Sequence, residues 1–235
     1  MTDHFQNIYA KHADRYEALV VREDYQGNIL RALEAIHPLE GQSVVEFGAG
    51  TGRLTLLLAP LVRSIRAYDG SAHMLEVATS KLQKTGLANW KTGVADNTRL
   101  PEPDSAADVA IEGWSFAHAV GWYPDSWQQE IGKALAEMRR IVRPGGTLIL
   151  METMGTGSET PTPPNEGLAA CYAWLEQEQG FSHRSIRTDY QFESLAEAES
   201  LTRFFFGDEM AETVLKRNWV ILPECTGIWW QQKSG

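Results

Sequence analysis

With 235 residues, a net charge of −10 and Lys and Arg scattered along the chain, the sequence offers one ample core and no track of positive charge for a phosphate backbone. Nucleic acid is therefore not an expected partner. The two cysteines, Cys171 and Cys225, lie far apart and the six histidines stand singly, so the expectation is free thiols, no disulfide framework and no metal.

The N-terminus "MTDHFQNIYAKHADRYEALV" has no apolar stretch behind basic residues, and no window is long enough to span a membrane. A soluble, cytoplasmic protein without a membrane partner is expected. The spacing of Leu30, Leu33 and Ile36 predicts helix over Asp14 to Ile36, stopped by His37-Pro38 and lying outside the sheet. Apolar runs then predict strands at Ser43 to Phe47, Ser64 to Asp69, Trp90 to Ala95, Ala107 to Glu112 and Thr147 to Glu152. Helices Gly52 to Leu61, Ala72 to Thr85 and Trp127 to Ile141 fall between them. Such alternation means crossover connections, hence a mainly parallel sheet covered on both faces.

After the fifth strand, "GTGSETPTPPNEG" reads as a mobile loop, followed by a helix from Leu168 to Gln179 and a strand in "RSIRTDYQF". Ser194 and Glu197 form a capping box for the helix "LAEAESLTRFFF". A helix from Asp208 to Arg217 leads into "WVILPECTGIWWQQK". The late strands are expected to form an antiparallel hairpin at the sheet edge.

The chemistry is carried by "SVVEFGAGTGRLTLLLAP", a strand, a glycine turn and a helix. A dinucleotide fingerprint needs G-x-G-x-x-G, but the third position after Gly48 and Gly50 is Arg53, which leaves G-x-G-x-G. Glu46, two places before the first glycine, repels a pyrophosphate and welcomes an ammonium group. Asp69 ends the second strand, where a carboxylate accepts from ribose hydroxyls. Asp96 and Asn97 follow the third strand, where a carboxylate accepts from an exocyclic amine such as that of adenine. An amino group, a ribose and an adenine without phosphate are the parts of S-adenosyl-L-methionine.

On these residues the chain resembles a class I S-adenosylmethionine-dependent methyltransferase, of the small-molecule type called type 11 or ubiquinone/menaquinone-biosynthesis-like. "VVEFGAGTG", "AYDGSAHML", "GVADNTRLP" and "EMRRIVRPGGTLIL" fall in the family's order, and the resemblance covers about Tyr9 to Glu152. It implies an α/β, Rossmann-like, doubly wound seven-stranded sheet, mainly parallel with the last strand antiparallel. A single domain is expected, with a lid and helix over 1–40, a cofactor-binding core over 41–152, a substrate-cap insertion over 153–185 and C-terminal strands and helices over 186–235. The resemblance places Gly48, Ala49 and Gly50 against the cofactor, Glu46 near its methionyl end and Asp69 on its ribose. It puts Asp96 and Asn97 at the adenine with Met74 packed on it, and Tyr9 or Tyr16 near the carboxylate. Phe47, Arg53, Gly70, Ala95, Glu112 and Gly113 complete the cofactor set by position.

Methyl transfer from a sulfonium is an in-line displacement, for which an enzyme supplies proximity, alignment and a dry site. The segment after strand four, Glu112 to His118, belongs at the carboxyl edge of the sheet. His118 is the candidate acid/base or acceptor-orienting residue, with Tyr9, Trp114, Trp122 and Tyr123 as further walls of an acceptor pocket. The expected partner is a small-molecule acceptor, and the chain is expected to be a monomer or homodimer. Two other readings stay open at this point: a noncatalytic S-adenosylmethionine-binding module with a protein partner, and a nicotinamide-dependent oxidoreductase, which Glu46 and Arg53 disfavour.

Overall fold

Ser43–Phe47 is buried at every position, as a strand covered on both faces must be, and it becomes the middle of the sheet. In the computed structural model, which describes residues 2–234, the chain begins with three helices, α1 (Thr2–Lys11), α2 (Ala13–Val20) and α3 (Asn28–Ile36). The alternating part follows as β1 (Ser43–Phe47), α4 (Arg53–Leu58), β2 (Ser64–Asp69), α5 (Ala72–Gln83), β3 (Trp90–Val94), β4 (Ala107–Gly113), α6 (His118–Trp122), α7 (Trp127–Ile141) and β5 (Val142–Thr156). Beyond it come α8 (Glu166–Gln177), β6 (Ser182–Arg187), β7 (Tyr190–Gln191), α9 (Leu195–Phe206), α10 (Asp208–Arg217), β8 (Ile221–Leu222) and β9 (Glu224–Gln232).

Seven strands form one sheet in the order β3-β2-β1-β4-β5-β9-β6. β9 runs antiparallel to both its neighbours, and the remaining pairs are parallel. The chain therefore winds outward from β1 to β3 on one side and resumes with β4 on the other. At such a switch point the loops after β1 and β4 part and leave a crevice above the carboxyl ends of the strands. One apolar layer, with Phe47, Ile131, Leu135 and Leu150, fills the side of α7 and α8; a second, with Ile29, Leu33, Leu58 and Ile111, fills the side of α3 and α4.

Several elements depart from the sequence expectations for local reasons. The helix expected over Asp14 to Ile36 is two helices, because Asp24 and Gly27 take positive φ, of 58° and 67°. The Asp24 carboxylate accepts from the amides of Asn28 (2.7 Å) and Ile29 (3.0 Å), so it restarts the helix after the break. Ser194 caps α9 as expected, accepting from Glu197 N at 3.1 Å, but the Glu197 carboxylate accepts from Glu193 N at 2.6 Å, one residue outside the expected box. The strand in "RSIRTDYQF" is split: β6 joins the main sheet beside β9, while β7 pairs with β8 in a separate two-stranded ribbon.

The segment 153–185 is not built as a cap. Its helix α8 is a crossover helix that sinks Cys171, Tyr172, Trp174 and Leu175 into the sheet's own core. α1 and α2 supply covering residues instead, Tyr9, Ala10 and Tyr16, and α2 is held by α9, α10 and the β7–β8 ribbon around Leu19, Tyr190, Phe192, Leu201 and Val214. Both cysteines are free and buried. Among the described residues no helix is long and apolar enough to cross a membrane.

Gly52 is the point on which α4 packs against α5. Its φ is +79°, and a Cβ there would lie 2.9 Å from Ala78 Cβ and 3.3 Å from Ala78 Cα. Gly52→Ala is expected to cost about 1–3 kcal/mol through backbone strain and overlap. Urea unfolding of the variant beside the parent checks this, as a lowered midpoint with an unchanged slope.

Candidate functional site

The end of β1 and the end of β2 are joined by the loop between β1 and α4. Ala49 N donates to Tyr68 O at 2.9 Å, Gly50 N donates to Asp69 Oδ2 at 2.8 Å, and Ser71 N donates to Asp69 Oδ1 at 2.7 Å. The Asp69 carboxylate is thus oriented by backbone on both oxygens, and each keeps a free lone pair. Burial raises its pKa, and the two backbone donors oppose that rise. Gly48 has φ +61°, and a Cβ there would sit 2.1 Å from Ser115 Oγ, so only a glycine lets the β4 loop come this near. Beneath, Glu46 is 2 % exposed and accepts from Thr55 Oγ1 at 2.6 Å. Burial pushes its pKa up to about 8.

A cavity of about 610 Å³ lies above these residues. On one side it is walled by Gly70, Met74, Ala95, Asp96 and Asn97. Ser71 caps α5 and sets Met74, itself 3 % exposed, on the floor. Asp96 sits at the exposed rim, where the Thr98 hydroxyl and amide donate to its Oδ1 and lower its pKa. Asn97 donates through Nδ2 to Ser115 Oγ at 3.1 Å, while its Oδ1 is buried and has no partner.

The other side is aromatic. Tyr9 from α1, Tyr16 from α2, and Gly113, Trp114, His118, Trp122 and Tyr123 from the β4–α6 region line it, with Arg53. Tyr9 Oη lies 3.0 Å from His118 Nε2, and His118 stacks on Trp122 with centroids 5.1 Å apart. Desolvation by these rings lowers the His118 pKa to about 4, against a hydrogen bond to the Trp114 backbone that works to raise it. The imidazole is therefore neutral across the physiological range and a weak base. Trp114 holds φ +55°, a conformation costing a bulky residue about 1–3 kcal/mol. The Arg53 guanidinium stands 4.3 Å from its ring centroid and pairs through Nη1 with Glu23 Oε2 at 2.6 Å, while Nη2 is buried without a partner.

Two residues expected at the site do not line the cavity. Phe47 is directed into the core on the α7 and α8 side, edge-on to Phe116 with centroids 5.9 Å apart. Glu112 is fully buried beneath the β4 loop and accepts from the amides of Ser115 and Phe116. No residue of 153–185 lines the cavity either. The wall includes residues sequence reasoning missed, among them Ser71, Ser115, and Ile131 and Ala134 on α7. Ser115 stood in the segment already singled out, whereas Ile131 and Ala134 share the apolar periodicity of an ordinary core face. Among the described residues no group of three or more His, Cys, Asp or Glu could hold a metal ion.

Residues 45–150 match the family described as a methyltransferase domain. A protein of Escherichia coli strain K12 named "Uncharacterized protein YafE" is 37 % identical over 110 residues, which is 47 % of this chain and 49 % of that protein. A malonyl-[acyl-carrier protein] O-methyltransferase of Serratia marcescens is 29 % identical over 152 residues, 65 % of this chain and 53 % of the relative. The chain thus spans about half the length of these curated relatives. Among solved structures, an S-adenosylmethionine-dependent methyltransferase from Aquifex aeolicus shares the fold with a TM-score of 0.55 at 17 % identity, over 86 % of this chain and 87 % of that one. Over residues 45–150 the chain is thus similar to the methyltransferase-domain family, and its fold is that of solved methyltransferases.

Proposed function

We propose that the protein transfers a methyl group from S-adenosylmethionine to a small-molecule acceptor, leaving S-adenosylhomocysteine. The observation that carries this reading is Asp69, fixed at the end of β2 with a free lone pair on each oxygen above the glycine loop. The groups around it suit the cofactor part by part. Glu46 lies where an ammonium would replace its proton. Asn97 Oδ1, buried and without a partner, suits the adenine amine, and Arg53 Nη2 suits a carboxylate. The cavity volume falls in the range for small ligands.

S-adenosylmethionine supplies an already activated methyl group, and the chain's own residues supply the rest. Asp69, Asn97 and Met74 hold the cofactor, and α1 and α2 exclude water. Trp114, Trp122 and Tyr9 hold the acceptor in line with the donor. His118, kept neutral by its surroundings, orients the acceptor rather than removing a proton from it.

Calorimetric titration tests the reading directly. S-adenosylmethionine and S-adenosylhomocysteine should bind at micromolar strength and NAD should not; absence of binding by the first two overturns it. Asp69→Ala should weaken the binding by about 1–3 kcal/mol through loss of charge-assisted hydrogen bonds.

Glu46 supplies a pH dependence. With its pKa raised to about 8 it is neutral in the free protein, and an ammonium beside it draws the pKa back down. Cofactor binding then releases a proton, so affinity should rise as pH is raised from about 6 toward 8. Titration in two buffers of different ionisation heat should report that release, and Glu46→Gln should abolish both effects. At saturating cofactor, turnover should show no rising limb near pH 6.5; such a limb, absent in His118→Gln, would make His118 a base instead.

A further inference from the structure

Two carboxyl groups stand outside the chemistry described so far. Glu112 and Glu152 are 0 % and 5 % exposed, near the carboxyl ends of β4 and β5. The register sets Glu112 beside Leu150, so Glu152, two residues further on, projects from the same face of the sheet, toward α7 and α8. Both direct their oxygens at one loop. Glu112 Oε2 accepts from Ser115 N at 3.1 Å and from Phe116 N at 3.4 Å, and Glu152 Oε1 accepts from Ala117 N at 2.8 Å. Three successive peptide N–H groups between β4 and α6 are thereby satisfied by two side chains.

The loop's side chains are also held, Trp114 by Arg53, Phe116 by Phe47 and His118 by Tyr9, but its main chain has few other ties to the rest of the fold. Trp114 N donates to Met151 O at 2.7 Å, and Asn97 reaches the Ser115 hydroxyl. It nevertheless holds Trp114 at positive φ and delivers His118 into the cavity. Without the carboxyl groups, three buried or half-buried donors would lose their partners and turn toward water. We propose that Glu112 and Glu152 act together as positioning residues, bracing residues 114–118 so that Trp114 and His118 form the acceptor wall. The proposal rests on the reading of that wall given above.

The titratable groups facing the pair are Tyr9 from α1 and Cys171 and Tyr172 from α8, none of them a cation. Burial first, and for Glu112 the neighbouring Glu152 as well, raises both carboxyl pKa values. Glutamine is consequently a close mimic, being neutral and keeping an acceptor oxygen for the loop.

The test uses Glu112→Gln, Glu112→Ala and Glu152→Met, each followed by thermal unfolding and by NMR titration of the His118 imidazole, assigned with His118→Gln. The readout is taken on the ligand-free chain. Glu112→Gln should match the parent. In Glu112→Ala, loosening of the loop should admit water around His118 and move its pKa from about 4 toward the ordinary 6.5. Glu152→Met removes the acceptor of the Ala117 amide while leaving Glu112 and the loop's own sequence in place, and its apolar side chain is of similar size. It should shift His118 in the same direction, and it decides the matter if Glu112→Ala does not fold. Lowered stability with His118 titrating as in the parent would show a merely structural pair and overturn the proposal. Failure of the parent to bind S-adenosylhomocysteine would remove the functional reading and leave this readout standing.

Discussion

The site depends on one carboxylate accepting two backbone N–H groups. Asp69 takes one from the glycine loop, at Gly50, and one from the turn into α5, at Ser71. β1 and β2 are adjacent and parallel, so these bonds fix the height of the loop against the start of α5. Met74 beneath the cavity, Gly48 against Ser115, and Asn97 beyond Ser115 are all placed relative to that level. The cost of keeping a carboxylate largely out of water is offset by donors that cannot move away, since both belong to main chain anchored in the sheet.

A second set of contacts ties the covering helices to the same loop. Arg53, at the start of α4, pairs with Glu23, and Glu23 forms a bridge to Tyr190 in the covering layer. Lys81 on α5 bonds Glu17 of α2 and the Thr51 carbonyl together. Each of these ion pairs is mostly shielded from solvent, where charge pairing is less screened than at the surface. The roof of the cavity is thus fastened to the elements that carry the glycine loop, and the covering layer and the site share one frame.

The central strands were legible because they are buried on both faces and read as short apolar runs between turns. α7 was legible for the length of its apolar period, and Trp127–Ile141 stands as expected. The 153–185 segment misled because a run rich in Pro and Gly reports where regular structure stops and says nothing about where the next helix packs. The better signal was inside that helix, in the aromatic and apolar positions Cys171, Tyr172, Trp174 and Leu175. Phe47 and Glu112 could have been set aside by strand parity, since Glu46 and Phe47 point to opposite faces although both adjoin the loop. The covering layer was out of reach, because its core joins α2 to residues beyond 189 and no local pattern encodes a contact of that separation.

The position of β9 also bears on how the chain assembles. It is the last of the described strands to be synthesised, yet it lies between β5 and β6 and hydrogen-bonds to both. Until residues 224–232 have left the ribosome, β5 presents an open edge and β6 has no place in the sheet. The β1 to β5 half, glycine loop included, precedes β9 in the chain, and the sheet that it belongs to is closed only by β9. Completion requires a pairing between segments distant in sequence, and until it forms the edge of β5 is open to other strands.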